Sequence, residues 1–434
     1  MRRHQVVLGG ATVVAVLACA CAPPRAGEDA SGPERRRGER VRPGITILLR
    51  DSSALIVGKR IGLLTNQSGI DERGTSDIDL LFRSKIAGTR LVVLFSPEHG
   101  IRGVEDRANI ASGRDERTGL PIVSLYGATT LPPPDSALRE LDVLLIDLQD
   151  IGARPWTYPA SMVYALRSAG QNHLPVVVLD RPNPISGSRP EGPLLDTALA
   201  YAGSHGGPRA AKPVALFPIP LRHGLTMGEL ARLYNEELGL HAELHVIPIA
   251  GWRRELWFDE TGLPWVKPSP NMPNLVSALI YPGLVAFEGT NLSVGRGTGD
   301  AFQRVGAPWL DAKKVAGVLN DRALPGVRFD EERFTPDHPT DGKYAGMALP
   351  GVRILVTDRT RYQSTRVGAA LLWAVARAHP DSLRVNGRVF DDRFGSPSAR
   401  EALVRGEDPD AVMDRSLPAT VAFQERSRKY WLYR

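Results

Sequence analysis

From about residue 60 the chain alternates between short unbroken apolar runs and longer stretches with helical spacing. The runs are IGLLT at 61 to 65, LVVLF at 91 to 95, DVLLID at 142 to 147 and PVVVLD at 175 to 180. Between them, DIDLLFRSKIAG (77 to 88) and PASMVYALRSAG (159 to 170) place apolar residues three and four apart. A strand covered on both faces needs apolar residues at every position, so this alternation predicts an α/β fold with a parallel sheet between helices. In such sheets the ligand crevice lies beyond the carboxyl ends of the strands. Each of the four runs ends in polar residues: Asn66, then Glu98 with His99, Asp147 followed by Asp150, and Asp180 followed by Arg181 and Asn183. Parallel strands bring those residues to one sheet edge.

Further along, the composition changes to AGSHGGPRAAKP at 202 to 213, a candidate domain boundary. Thr226 followed by Glu229 forms a capping box that opens a helix. Arg222 and His223 stand just ahead of it, where an anion is favoured. A strand is expected near 243 to 249, then the loop KPSPNMPN at 267 to 274. The stretch YPGLVAFEGTNLSVGRGTGDAF at 281 to 302 leads apolar residues into Glu288, Asn291 and Arg296 amid glycines. GVRILVTD reads as a strand and STRVGAALLWAVARAH as a helix stopped by Pro380, and the terminal RSRKYWLYR reads as an aromatic segment docked on the body.

The N-terminus carries an address. MRRH is a cationic start, VVLGGATVVAVLA a short apolar stretch, and CACAPP follows, so residues 1 to 21 predict a secretory signal. The chain has two cysteines, Cys19 and Cys21, both at the expected cut, and the arrangement resembles a bacterial lipoprotein signal in which a cysteine is lipidated. The expected location is the periplasm or cell envelope, with the lipid anchor as the sole membrane contact. No cysteine remains downstream for a disulfide. Residues 22 to 43, rich in Pro, Gly, Glu and Arg, read as a disordered tether, with folding from Gly44.

With 42% apolar and 24% charged residues the composition is that of a globular protein. The net charge of +6 is concentrated in the signal and the run at 35 to 40, and no basic stripe with interleaved aromatics points to nucleic acid. No G-x-G-x-x-G follows a strand and no phosphate-binding G-x-x-x-x-G-K-[ST] occurs, so no nucleotide cofactor is expected. H-E-x-x-H and G-x-S-x-G are absent, and the nine histidines are scattered, so no metal is expected either.

The blocks SPEHG, DLQDIGARPWTYPASM, VVLDRPNPISG, EGPLL, PIPLRHGLTMGELARLYN, SPNMP, and FEGTNLSVGRGT with GAPW together resemble the exo-β-N-acetylmuramidase (NamZ-like) family, from about residue 44 to the C-terminus. The resemblance implies a Rossmann-like N-terminal domain (44 to 205), a smaller C-terminal α/β domain (206 to 434) and an active site between them. It also implies hydrolysis of terminal β-1,4-linked N-acetylmuramic acid from the non-reducing ends of peptidoglycan fragments. One departure is visible: Gly299-Asp300-Ala301-Phe302 follows GRGT, where many relatives continue toward Pro-Phe.

Glycoside hydrolysis needs a proton for the leaving oxygen and stabilisation of an oxocarbenium-like transition state, usually from two carboxyl groups. Glu98, matching the family's PEHG glutamate, is the expected general acid, with His99 orienting it or touching the sugar. For the second carboxylate Asp150 ranks ahead of Asp147 and Glu288; alternatively the substrate's own acetamido carbonyl acts as nucleophile. The lactyl carboxylate of muramic acid calls for a cation, and Arg102, Arg154 and Arg296 are candidates. Tyr158 and Trp156 offer sugar stacking, and Asn66, Asn183, Asn271 and Asn291 offer bonds to hydroxyls or the acetamido group, each with an Asx turn as the competing role. A protein that binds muropeptides without turnover is the alternative reading.

Overall fold

The computed structural model describes residues 40–106, 109–127, 131–201 and 213–434; Cys19, Cys21 and the rest of the signal and tether lie outside the described residues. In chain order the strands are β1 (Arg60–Thr65), β2 (Arg90–Ser96), β3 (Gly113–Arg114), β4 (Pro121–Ser124), β5 (Val143–Asp147), β6 (Val176–Leu179), β7 (Glu191–Leu194), β8 (Pro220–Arg222), β9 (Leu244–Ile247), β10 (Arg304–Gly306), β11 (Val327–Phe334) and β12 (Leu349–Val356). Seven of them form one sheet in the order β3-β4-β2-β1-β5-β6-β9, parallel except at the β3–β4 pair. β1 lies between β2 and β5, so the chain reverses its direction of growth across the sheet there, which opens a crevice above the strand ends.

The strand period of two explains the unbroken apolar runs. Along β5, Val143 and Leu145 face a cluster containing Ile45 and Leu48 of helix α1 (Gly44–Asp51) and Ile78 and Leu81 of α2 (Asp77–Phe82). Leu144 and Ile146 face the opposite way, toward Met162 and Leu166 of α4 (Tyr158–Gln171) and Leu230 of α5 (Met227–Glu237); the short α3 (Asp135–Leu138) precedes β5. Removing one of these side chains, as in Leu145→Ala, costs about 2–5 kcal/mol. Helix α2 stops at Phe82, short of the 77 to 88 expected from spacing, because Arg83 already caps it. The capping box of α5 is present in both directions, Thr226 with Glu229.

The second layer contains a three-stranded antiparallel sheet, β10-β12-β11, with helices α6 (Leu275–Leu284), α7 (Ala312–Asp321), α8 (Ser364–Ala378), α9 (Gly387–Phe394), α10 (Pro397–Val404), α11 (Pro409–Asp414) and α12 (Leu417–Ser427). One apolar cluster runs from Leu64 of β1 through Trp156 to Phe390 of α9, so the two layers share a core.

Two boundaries differ from the sequence expectation. The body begins before Gly44: Val41 is buried and Arg42 exchanges backbone hydrogen bonds with Ala250. A division at residue 206 precedes α5 and β9, yet β9 pairs with β6 and completes the large sheet. The C-terminal segment docks as expected, with Tyr433 packed edge-on against Trp252.

Candidate active site

β2 carries the chain out of the sheet at Ser96, and the next residues turn sharply. His99 (φ 70) and Gly100 (φ 74) are both left-handed, and the Gly100 N–H closes the turn on the Pro97 carbonyl at 3.1 Å. Glycine takes this conformation freely, whereas a histidine there costs on the order of 1 kcal/mol. The turn leaves Glu98 half-buried, facing a cleft lined by residues of both layers.

Both Glu98 oxygens are held. Oε1 accepts the Tyr126 hydroxyl at 2.7 Å and Oε2 accepts the Thr157 hydroxyl at 2.5 Å. Burial, with the Glu98 charge second, pushes the Tyr126 phenol well above its ordinary value, so it stays a donor. His99 lines the same cleft; its Nδ1 stands 2.7 Å from the Glu105 carbonyl and 3.7 Å from Asp106 Oδ1. A carbonyl accepts only, so Nδ1 carries a proton.

The facing wall comes from the second layer. Glu288 sits in the short turn after α6, and its carboxylate bridges two arginines. Arg296 donates to Oε1 through Nε at 3.0 Å and Nη2 at 2.5 Å, and Arg393 of α9 donates to Oε2 through Nε at 2.9 Å. Burial pushes the Glu288 carboxyl up, but Arg296 and Arg393 outweigh it and hold the group below its ordinary value. Arg296 is projected by a loop in which Gly297 is left-handed (φ 76), and a Cβ there would fall 2.4 Å from the Asp337 carbonyl oxygen. Lys343 supports this turn from behind, its Nζ donating to the carbonyls of Glu288 and Leu292, each at 3.1 Å. Asn271, from the SPNMP loop, lines the cleft and donates to Asp106 Oδ2 at 2.5 Å. Trp156 and Tyr281 complete the wall, and the buried Trp156 indole N–H has no partner among the described residues.

Of the residues expected from sequence, Glu98, His99, Asn271, Glu288, Arg296 and Trp156 therefore meet in one cleft. The others are placed elsewhere, each tied to a neighbour. Asp150 is 2% exposed; its Oδ2 accepts the Gly152 N–H at 2.7 Å and lies 3.1 Å from His223 Nε2. His223 Nδ1 accepts the Leu225 N–H, which leaves the ring's proton on Nε2, and neither residue lines the cleft. Asp147 forms a buried pair with Arg181. Arg222, expected beside an anion, is buried against Glu191 and the Ile185 carbonyl. Arg102 is paired with Asp115, half-exposed. Arg154 is 3% exposed and donates to the carbonyls of Val214, Asp392 and Arg393 at 3.1, 3.2 and 2.7 Å. Tyr158 is fully buried, its hydroxyl given to the Pro268 carbonyl. Asn66 and Asn183 form Asx turns with Ser68 and Ile185, and Asn291 ties Ser382 to Arg384.

The expectations did not include Tyr126, Asp106, Thr157 and Arg393. Thr157 lies inside the block DLQDIGARPWTYPASM and stood within reach of sequence reasoning; for the other three no local pattern marks the residue.

Comparison with known proteins agrees with this architecture. The family model described as "Exo-beta-N-acetylmuramidase NamZ, N-terminal" matches residues 61–276 and its C-terminal counterpart matches 279–433. The chain is 38% identical over 396 residues to the peptidoglycan beta-N-acetylmuramidase NamZ of Bacillus subtilis (strain 168), covering 91% of this chain and 92% of that protein. Two crystal structures of DUF1343 family proteins from Bacteroides fragilis NCTC 9343 are similar, with TM-scores of 0.81 and 0.69 at 33% and 26% identity. Each covers 91% of this chain and 99% of its own.

Proposed function

The chain belongs to the NamZ exo-β-N-acetylmuramidase family, and from that premise we propose that its cleft hydrolyses the β-linkage of a terminal N-acetylmuramic acid on peptidoglycan fragments, with Glu98 as general acid. The observation that carries this reading is the Glu98 carboxyl, fixed by two hydroxyl donors at the mouth of a parallel-sheet crevice. In its protonated form Glu98 gives its proton to the glycosidic oxygen as the bond from C1 breaks, so the departing sugar leaves as a neutral alcohol. Positive charge then develops at C1 and the ring oxygen. Asp106 supplies the opposing negative charge: its carboxylate lines the cleft, held by Asn271 and within 3.6 Å of Arg296 Nη1. Asp150 and Asp147, turned into the protein, take no part in this step. Water then adds at C1, directly or after displacing the substrate's acetamido oxygen from it, and the proton it releases passes to a cleft carboxylate, Glu98 or Asp106.

The test uses the chain lacking residues 1 to 39 with 4-nitrophenyl β-N-acetylmuraminide, the matching N-acetylglucosaminide, and Glu98→Gln. Release of 4-nitrophenol from the muraminide, reduced about 10²- to 10⁴-fold in Glu98→Gln, is expected. A folded protein that binds the muraminide and never turns it over would favour the muropeptide-binding alternative.

The proposal extends to location: export to the cell envelope with a lipid anchor on Cys19 or Cys21, supported by the N-terminal sequence alone. Metabolic labelling with an alkynyl fatty acid should mark the full chain and fail with Cys19→Ser/Cys21→Ser.

A further inference from the structure

Of the cleft's two arginines, one is fully committed. Arg296 gives Nε and Nη2 to Glu288 and Nη1 to Thr340 at 3.2 Å, and Asp106 lies 3.6 Å from the same Nη1. Arg393 is different. Its Nε bonds Glu288 Oε2 at 2.9 Å and its Nη1 bonds the Val389 carbonyl at 3.2 Å, which fixes the guanidinium plane, while Nη2 has no partner among the described residues. The two anchors of this side chain are themselves held, since Arg154 grips the Arg393 backbone carbonyl at 2.7 Å and Lys343 braces the Glu288 turn. Asp106 and Glu288 together answer Arg296, and Arg393 shares only the Oε2 side of Glu288.

We propose that Arg393 is the specificity-determining residue, its Nη2 N–H bonding the carboxylate of the lactyl ether on the terminal sugar. That carboxylate is what separates a muramic from a glucosamine residue, and the inference rests on the muramidase reading of the site. A donor whose guanidinium plane is already fixed loses little on binding, so the charged hydrogen bond is expressed as selectivity.

Calorimetric titration of the chain lacking residues 1 to 39 with N-acetylmuramic acid and with its lactyl methyl ester reads the contact directly. The unsubstituted protein is expected to prefer the acid by about 10- to 100-fold, the range for a hydrogen bond between charged partners. Arg393→Gln should abolish that preference while binding the ester within about threefold of the parent, which also shows that the variant is folded. Arg393→Lys, which keeps the charge but not the fork, should fall between. An Arg393→Gln protein that still prefers the acid as strongly as the parent, or that loses acid and ester equally, overturns the assignment. If the parent hydrolyses the 4-nitrophenyl muraminide in either of those cases, the muramidase reading survives without Arg393; if it neither binds nor hydrolyses a muramic ligand, both fall.

Discussion

The Thr157 hydroxyl stands 2.5 Å from Glu98 Oε2, although Thr157 is the residue that immediately precedes α4. A threonine in that position ordinarily turns its hydroxyl onto the helix's free N–H groups, a contact worth about 1 kcal/mol. Here no side-chain cap is made. The hydroxyl is committed to the carboxyl group in the cleft instead.

Thr157→Val should therefore leave stability within about 0.5 kcal/mol of the parent while lowering kcat/KM tenfold or more, the effect of losing a hydrogen bond to a charged acceptor. Thermal unfolding alongside muraminide turnover separates the two. A variant that loses stability and keeps its rate would show the hydroxyl to be a structural cap after all.

Asp150→Asn is expected to do the reverse. The Asp150 carboxylate holds the Gly152 N–H and faces His223 in a buried setting, so disturbing it should cost about 1–3 kcal/mol. Turnover per folded molecule should stay within about threefold. A loss of 10³-fold in kcat with unchanged unfolding would return Asp150 to the chemistry.

Those two residues show how far the sequence was legible. Parallel strands buried on both faces read as continuous apolar runs, so β1, β2, β5 and β6 and the edge where Glu98 and His99 emerge were accessible from residue order. The polar residue at a strand end is ambiguous in kind, because it can line the crevice or pin the loop that leaves it. Glu98 and Asp150 occupy equivalent places; Gly152 and His223, the latter 73 positions away, decide that Asp150 turns inward. Asn66, Asn183 and Asn291 were resolved the same way, toward loop ties. Arg393 lies in GRVFDDRF, where no local pattern marks it, and only the packing of α9 on the Glu288 turn brings its guanidinium to the cleft.

Arg154→Met should destabilise the protein by roughly 3 kcal/mol or more, because three carbonyls lose their donor. Burial pushes this guanidinium down to about 10, which still leaves it charged at neutral pH. Two of the three carbonyls belong to α9, so KM for the muraminide should rise with the loss of stability. An unchanged KM in the folded fraction would separate the tie from the cleft.

Asp180 predicts a pH slope. Burial pushes its carboxyl up to about 7, against the lowering effect of hydrogen bonds from Tyr433, Gly228 and Thr226. The folded value lies above the unfolded one, so the native state retains a proton that the unfolded chain has released. The group's contribution to stability is then full below about pH 4 and is lost as pH rises through about 7. Asp77 and Asp147, raised by burial as well, slope in the same direction, so the difference between the parent and Asp180→Asn isolates this residue. Urea midpoints at pH 5 and pH 8 should show the parent losing ground relative to the variant at the higher pH. A pH-independent difference would refute the assignment.

The tyrosine bonded to Asp180 is the second-last residue of the chain, and it shares a small apolar cluster with Val41, near the start of the body. The first and last described residues thus meet at one seam, making the fold a ring closed without a covalent link. A pull on the chain ahead of Arg40 enters at this seam and loads the join between Val41 and Tyr433 first.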